Sequence, residues 1–180
     1  MSCNQKLYET SKCVQLNIGG VAFLEHEGKA WTVVGSCLCV CLYSKKMKVA
    51  AICHAQLPKQ IIDRSISIAE SINHCINGIT SIEENRYMDK VLFAMFYFFE
   101  KKNIPLHTLT AVLIGGASAY GLHSNGQTIG ESNVDMARKI LKQNKIDVVF
   151  EDVGGRSSRN IYYDNLHGQI TINKSKTIIL

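Results

Sequence analysis

The sequence contains no long hydrophobic run, no block of like charge and almost no proline. No apolar stretch approaches the roughly 20 residues that a membrane-spanning helix needs, so no bilayer-inserted segment is expected. Lysine and arginine total 20 against 15 acidic residues, but they are scattered. Without a basic cluster, nucleic acid is not the expected partner. The net charge of +5 is modest and suits an acidic protein partner. Two prolines in 180 residues, and no internal repeat, leave no linker that would divide the chain. One domain spanning 1–180 is therefore expected, with enough chain for a substantial core. The polar start Met1-Ser2-Cys3-Asn4-Gln5-Lys6 opens no signal-peptide pattern. Residues 1–12 read as a frayed terminus.

Cysteine, by contrast, is plentiful, with seven residues at 3, 13, 37, 39, 41, 53 and 75. Four of them sit in apolar β-like runs, where a buried thiol behaves as a small hydrophobe. An odd count of this kind points to a reducing cytoplasm. Val14 to Leu24 reads as a strand and a turn around Gly19-Gly20. Trp31 to Tyr43 is a single strong β run and Met47 to His54 a second, the two forming a hairpin around Ser44-Lys45-Lys46. Period-2 geometry places Cys37, Cys39 and Cys41 on one face.

Spacing predicts an amphipathic helix over Lys59 to Ile76, and a longer helix over Met88 to Lys102 with Asp89 and Lys101 matched to its dipole. Met88, Val91, Leu92, Met95, Phe96 and Phe99 mark one face of the second helix. Phe93, Tyr97 and Phe98 make the other side apolar too, so this helix is either buried on two sides or carries a docking surface. Leu109 to Ile114 is a buried strand ended by Gly115-Gly116. Ser132 and Asp135 are candidate caps for a helix carrying Val134, Ala137, Ile140 and Leu141. Ile146 to Phe150, Asn160 to Tyr163 and Gln169 to Ile172 are further strands. Glu151-Asp152 reads as polar residues of a hairpin at Gly154-Gly155, with Arg156 and Arg159 solvated or paired with them.

Cys37 follows a Gly35-Ser36 step, and His54 ends the next β run. If those runs pair, a thiol meets an imidazole that can activate it. Backbone N–H groups at the Gly35-Ser36 bend could hold an oxyanion. On residue types and spacing alone the plainer reading is stronger: Cys37 is one of several buried thiols, and His54 merely ends a strand. Zinc held by Cys37, Cys39, Cys41, Cys53 and His54 ranks lower, because C-x-C-x-C is not a zinc-knuckle spacing.

Six segments in order shift that balance: T-V-V-G-S-C at 32–37, H-A-Q-L-P at 54–58, R-Y-M-D at 86–89, I-G-G-A-S at 114–118, I-G-E-S-N at 129–133 and E-D-V-G-G-R-S-S-R at 151–159. Together, over roughly residues 14 to 173, they resemble the chemoreceptor glutamine deamidase family, CheD. The resemblance implies an α+β fold: a β-sandwich-like core flanked by helices, similar to the catalytic domain of cytotoxic necrotising factors. It implies a cytoplasmic cysteine hydrolase of chemotaxis signalling that converts receptor glutamine side chains to glutamate and releases ammonia, using no metal and no organic cofactor. Cys37 would be the nucleophile, formed as a thiolate with His54 as its base. Thr32, the threonine available before G-S-C, would orient the base, and Ser36 and Gly35 would shape the oxyanion turn. Methyl-accepting chemotaxis receptors would be the substrate, and a CheC-type phosphatase a regulatory partner. Two other readings stay open: a non-catalytic regulator of such a phosphatase, and a deamidase of some other protein. Residues 59–85 exceed the family's short connector and read as an insertion, covering the cleft or offering a new surface.

Overall fold

The computed structural model describes residues 13–59, 84–118 and 126–174. Among these, nine strands form two sheets. In chain order they are β1 (Cys13–Gln15), β2 (Val21–Glu25), β3 (Lys29–Val34), β4 (Leu38–Ser44), β5 (Val49–Ala55), β6 (Thr110–Gly115), β7 (Asp147–Val153), β8 (Arg159–Asp164) and β9 (Gln169–Lys174). Helix α1 (Met88–Lys101) lies between β5 and β6, and α2 (Ile129–Gln143) between β6 and β7. One sheet runs β1-β3-β8-β9 and the other β2-β5-β4-β6-β7. Pairing is antiparallel except for β1 with β3 and β6 with β7, the latter parallel because α2 carries the chain back between them. The predicted helix over Lys59 to Ile76, most of the 59–85 insertion and residues 1–12 lie outside the described residues.

Two cores divide the apolar residues. Ala30, Val34, Cys39, Cys41, Ala50, Ile52, Ile114, Ile161 and Tyr163 fill the space between the sheets. Leu38, Val40, Leu42, Ala51 and Cys53 turn the other way and pack under α1 and α2. The five-stranded sheet is therefore apolar on both faces, which is why β4 and β5 carry almost no polar residue. The four-stranded sheet meets the core on one face only, and β3 alternates accordingly: Ala30, Thr32 and Val34 are buried, while Trp31 and Val33 are exposed. Burying one such Val, Leu or Ile contributes about 1.5–3 kcal/mol.

The expected α+β sandwich with helices is present, with both described helices on the same outer face. Helix α1 buries the face its spacing predicts, Met88 through Phe99. On its second side Phe98 stacks on Phe23 of β2, with ring centroids 4.4 Å apart, while Phe93 is exposed.

Three expectations need correction. The single β run from Trp31 to Tyr43 is two strands in different sheets: the chain leaves one at Val34, turns through Gly35-Ser36-Cys37 and enters the other at Leu38. Apolar residues continue across the break because both strands bury a face in the same core, so composition does not mark the crossing. Helix α2 is capped by Thr128 rather than by Ser132 or Asp135. Thr128 Oγ1 accepts from the Glu131 N–H at 3.2 Å and Glu131 Oε2 accepts from the Thr128 N–H at 2.8 Å. This reciprocal pair satisfies two otherwise orphaned donors and leaves Ser132 and Asp135 inside the helix. Finally, Glu151 and Asp152 belong to β7, opposite Leu113 and Ile114 of β6. Glu151 takes two bonds from Arg138, and Asp152 pairs with Arg159 at 3.0 Å and Lys174 at 3.1 Å. Arg159 is buried and Arg156 exposed.

Candidate active site

The two sheets meet through polar side chains where β3 offers Thr32 and β5 offers His54. Both side chains are buried, and alternation along each strand points them into the space between the sheets. Thr32 Oγ1 donates to the Leu16 carbonyl at 2.7 Å and lies 2.8 Å from His54 Nδ1. A hydroxyl has one proton, and a carbonyl can only accept. Thr32 must therefore accept from His54, which puts the ring proton on Nδ1. His54 Nδ1 also lies 3.4 Å from the Leu16 carbonyl, a second acceptor on the same side. The lone pair is left on Nε2, which is buried and has no hydrogen-bond partner among the described residues. Burial lowers the His54 pKa from its ordinary value, with the Leu16 carbonyl opposing, so the resting imidazole is neutral.

Cys37 lies one residue before β4, in the turn between the sheets, and is half-buried. Two residues on, Cys39 stands directly opposite His54 in the β4–β5 ladder. Cys37 packs against the inter-sheet core on the same side as Cys39 and Cys41. Burial raises the Cys37 pKa, and its own backbone N–H opposes this. Both shifts favour the uncharged forms at rest, a thiol at Cys37 and a neutral imidazole at His54. Burial also holds the Cys39 and Cys41 thiols far above the ordinary range and pushes Cys53 up to about 12, so all three stay protonated and serve packing. Cys53 faces the helices while His54 faces the other sheet, which separates the residues of the zinc reading.

The turn is held by its carbonyls. Gly35 O accepts from Ala117 N at 2.8 Å, Ser36 O from Asn133 Nδ2 at 3.1 Å, and Cys37 O from Gly116 N at 2.8 Å. In a planar trans peptide the N–H points opposite the preceding C=O. Anchoring the carbonyls of Gly35 and Ser36 thereby aims the N–H groups of Ser36 and Cys37 away from the anchors. Glycine is demanded at Gly115 and Gly116 rather than at Gly35. Gly115 has φ +120° and a Cβ there would strike Cys37 O; Gly116 has φ +62° and a Cβ would come within 2.9 Å of Gly130 O. A Cβ at Gly35 would meet nothing within 4 Å among the described residues.

The other sequence segments form a shell around this turn. After His54, Gln56 and Leu57 donate their backbone N–H groups to Arg86 O at 2.8 and 2.9 Å, and the Arg86 guanidinium returns two bonds to Gln56 Oε1. Gly154 N donates to Gly115 O, and Ser118 N to Gly155 O. Asn133 was visible only as part of I-G-E-S-N, with no role readable from its position. It is fully buried and its Nδ2 bridges Ser36 O and Gln56 O.

Comparison with known proteins gives the same family along the chain. The model for "CheD chemotactic sensory transduction" matches residues 74–174. The chain is 32% identical over 163 residues to a Pyrococcus abyssi protein named as a probable chemoreceptor glutamine deamidase CheD, covering 89% of this chain and 91% of that one.

The chain belongs to the CheD family.

A Thermotoga maritima member named chemoreceptor glutamine deamidase CheD is 28% identical, with 88% of this chain and 90% of that one aligned. A Sulfurimonas denitrificans member is 31% identical over 78% of this chain and 80% of its own. A solved Neisseria meningitidis structure is similar at a TM-score of 0.42 and 14% identity, over 81% of this chain and 64% of that one, a likeness too distant to bear on function. Among the described residues no helix is long and apolar enough to cross a membrane.

Proposed function

We propose that this CheD-family chain is a protein-glutamine deamidase acting on chemoreceptors, with Cys37 as nucleophile, His54 as general base and Thr32 holding the base. The observation that carries the reading is the Thr32–His54 bond, which commits Nδ1 to its proton and leaves on Nε2 a buried lone pair with no partner among the described residues. In the first step Nε2 takes the Sγ proton as sulfur attacks the side-chain carbonyl carbon of a substrate glutamine. The oxyanion that forms lies against the N–H groups of Ser36 and Cys37, each such donor worth about 3 kcal/mol. The intermediate collapses as Nε2–H protonates the departing nitrogen, releasing ammonia and leaving a thioester. His54 then deprotonates a water that attacks the thioester, giving glutamate and the thiol. Throughout, Thr32 accepts from Nδ1–H and so favours the imidazolium that forms transiently. The mechanism requires no cofactor. The two-sheet sandwich with helices on one face is compatible with the fold relation to cytotoxic necrotising factors that the family resemblance implies.

The test is to incubate the protein with receptor cytoplasmic fragments and map glutamine-to-glutamate conversion by mass spectrometry, comparing wild type with Cys37→Ala. Conversion by wild type and none by the variant is expected. Equal spectra from the two would remove the enzyme reading. Binding to a CheC-type phosphatase without any conversion would favour the regulator instead.

A further inference from the structure

Two of the three buried side-chain atoms without a partner among the described residues are His54 Nε2 and Asn133 Oδ1. Asn133 lies on α2, far in sequence from both halves of the candidate site. Its side chain is fully buried, and both amide hydrogens are used: Nδ2 donates to Ser36 O at 3.1 Å and to Gln56 O at 2.9 Å. Both acceptors are backbone carbonyls, so the orientation of the amide is fixed by chemistry. Ser36 immediately precedes Cys37, and Gln56 lies two residues after His54. One side chain therefore ties the turn bearing the thiol to the strand end bearing the imidazole. Its bond to Ser36 O also sets the plane of the Ser36–Cys37 peptide, and hence the direction of the Cys37 N–H.

Asn165 provides an internal comparison. It is also fully buried, and its Nδ2 also bridges two backbone carbonyls, of His26 and Lys48, each at 3.0 Å. Its Oδ1 accepts from Tyr163 Oη at 3.1 Å, so the whole amide is satisfied. Asn165 joins two turns remote from Cys37. At Asn133 the carbonyl has no partner among the described residues while both donors go to the site, which is costly for a group serving packing alone.

We propose that Asn133 is a positioning residue for the deamidation: it holds the Cys37 turn against the end of β5 and orients the Cys37 N–H as an oxyanion donor. This rests on the proposed roles of Cys37 and His54. A misplacement of about 1 Å at reacting groups costs on the order of a hundredfold in rate. The experiment measures kcat and KM for receptor-fragment deamidation, thermal stability, and the rate of Cys37 alkylation by iodoacetamide, in wild type, Asn133→Ala, Asn133→Asp and Asn165→Ala. For both Asn133 variants, kcat is expected to fall about a hundredfold with KM little changed, and the alkylation rate to shift. Asn165→Ala should lose comparable thermal stability and keep wild-type kcat and alkylation. If Asn133→Ala does not fold, Asn133→Ser retains one donor and should still lose about tenfold in kcat. Folded Asn133 variants with wild-type kcat, or an equal loss in Asn165→Ala, would overturn the proposal. Should wild type deamidate no receptor fragment, the function reading fails separately. Alkylation then decides this one: a rate altered by Asn133→Asp but not by Asn165→Ala sustains it, and an unaltered rate removes it.

Discussion

Replacing Thr32 with valine keeps the branched shape on β3 and deletes only the hydroxyl. That hydroxyl makes two buried hydrogen bonds, at 2.7 Å to Leu16 O and 2.8 Å to His54 Nδ1. At about 1 kcal/mol net for each neutral bond, Thr32→Val should cost about 2 kcal/mol of stability. In a domain of this size that corresponds to roughly 4–8 °C in Tm. The effect on rate should be larger in proportion. His54 keeps one acceptor, the Leu16 carbonyl, at the longer distance of 3.4 Å, and loses the partner that holds its ring in place. Between loss of the correct tautomer and a displacement approaching 1 Å, kcat should fall about 10- to 100-fold with KM nearly unchanged. Nitrogen NMR of the imidazole gives an independent reading: wild type should carry its proton on Nδ1, and Thr32→Val should show a mixture of tautomers. Thr32→Ser retains the hydroxyl and should restore most of the rate. If Thr32→Val keeps wild-type kcat and a pure Nδ1–H tautomer, the threonine does not orient the base and the reasoning from proton count is wrong.

The shifts at His54 and Cys37 set a pH window. Because the His54 pKa is lowered in the folded state, its contribution to stability is present above the ordinary 6.5 and is lost as pH falls through the folded value. Cys37 is raised, so its contribution is present below the ordinary 9.0 and is lost as pH rises through the folded value. A plateau in Tm between these limits is expected, with the acid slope reduced in His54→Gln; an acid slope unchanged by that substitution would contradict the assignment. The Cys37 alkylation rate in wild type should still be climbing above pH 9.0, and a rate already level at neutral pH would indicate a thiolate–imidazolium pair. Gly115→Ala forces a Cβ into Cys37 O at φ +120° and should lower stability by more than about 1 kcal/mol while also reducing deamidation. Normal melting and normal activity in that variant would show that the Gly115 contact does not hold the Cys37 turn.

Much of the fold was legible because burial leaves a period in the sequence. The face of α1 from Met88 to Phe99, the β4–β5 hairpin and the strand ending at Gly115 all follow from spacing and turn residues. The limits of such reading were equally physical. Between β3 and β4 both strands bury apolar side chains in one core, so the composition continues while the chain changes sheets. At α2 the capping pair Thr128 and Glu131 lies six and three residues ahead of Val134, where the apolar stripe that suggests the start of the helix begins. Strand β7 extends through Glu151 and Asp152 because each carboxylate finds a cation, Arg138 for one and Arg159 with Lys174 for the other.

For the candidate site, the sequence alone determined the chemistry available: a thiol after a Gly-Ser step, an imidazole at the end of the next strand, and motifs whose order marks the family. Thiol and imidazole could be considered together because Cys37 immediately precedes one strand of a hairpin and His54 lies near the end of the other, where separation along the chain translates directly into position. Tertiary structure decided the rest. Thr32 reaches His54 only because two different sheets face each other, which no periodicity within one strand can express. Gly115 and Gly116 matter because a carbonyl and a helix lie where their Cβ atoms would be. Asn133 reaches Ser36 and Gln56 across 97 and 77 residues of chain, a contact set by the packing of α2 against the strand ends.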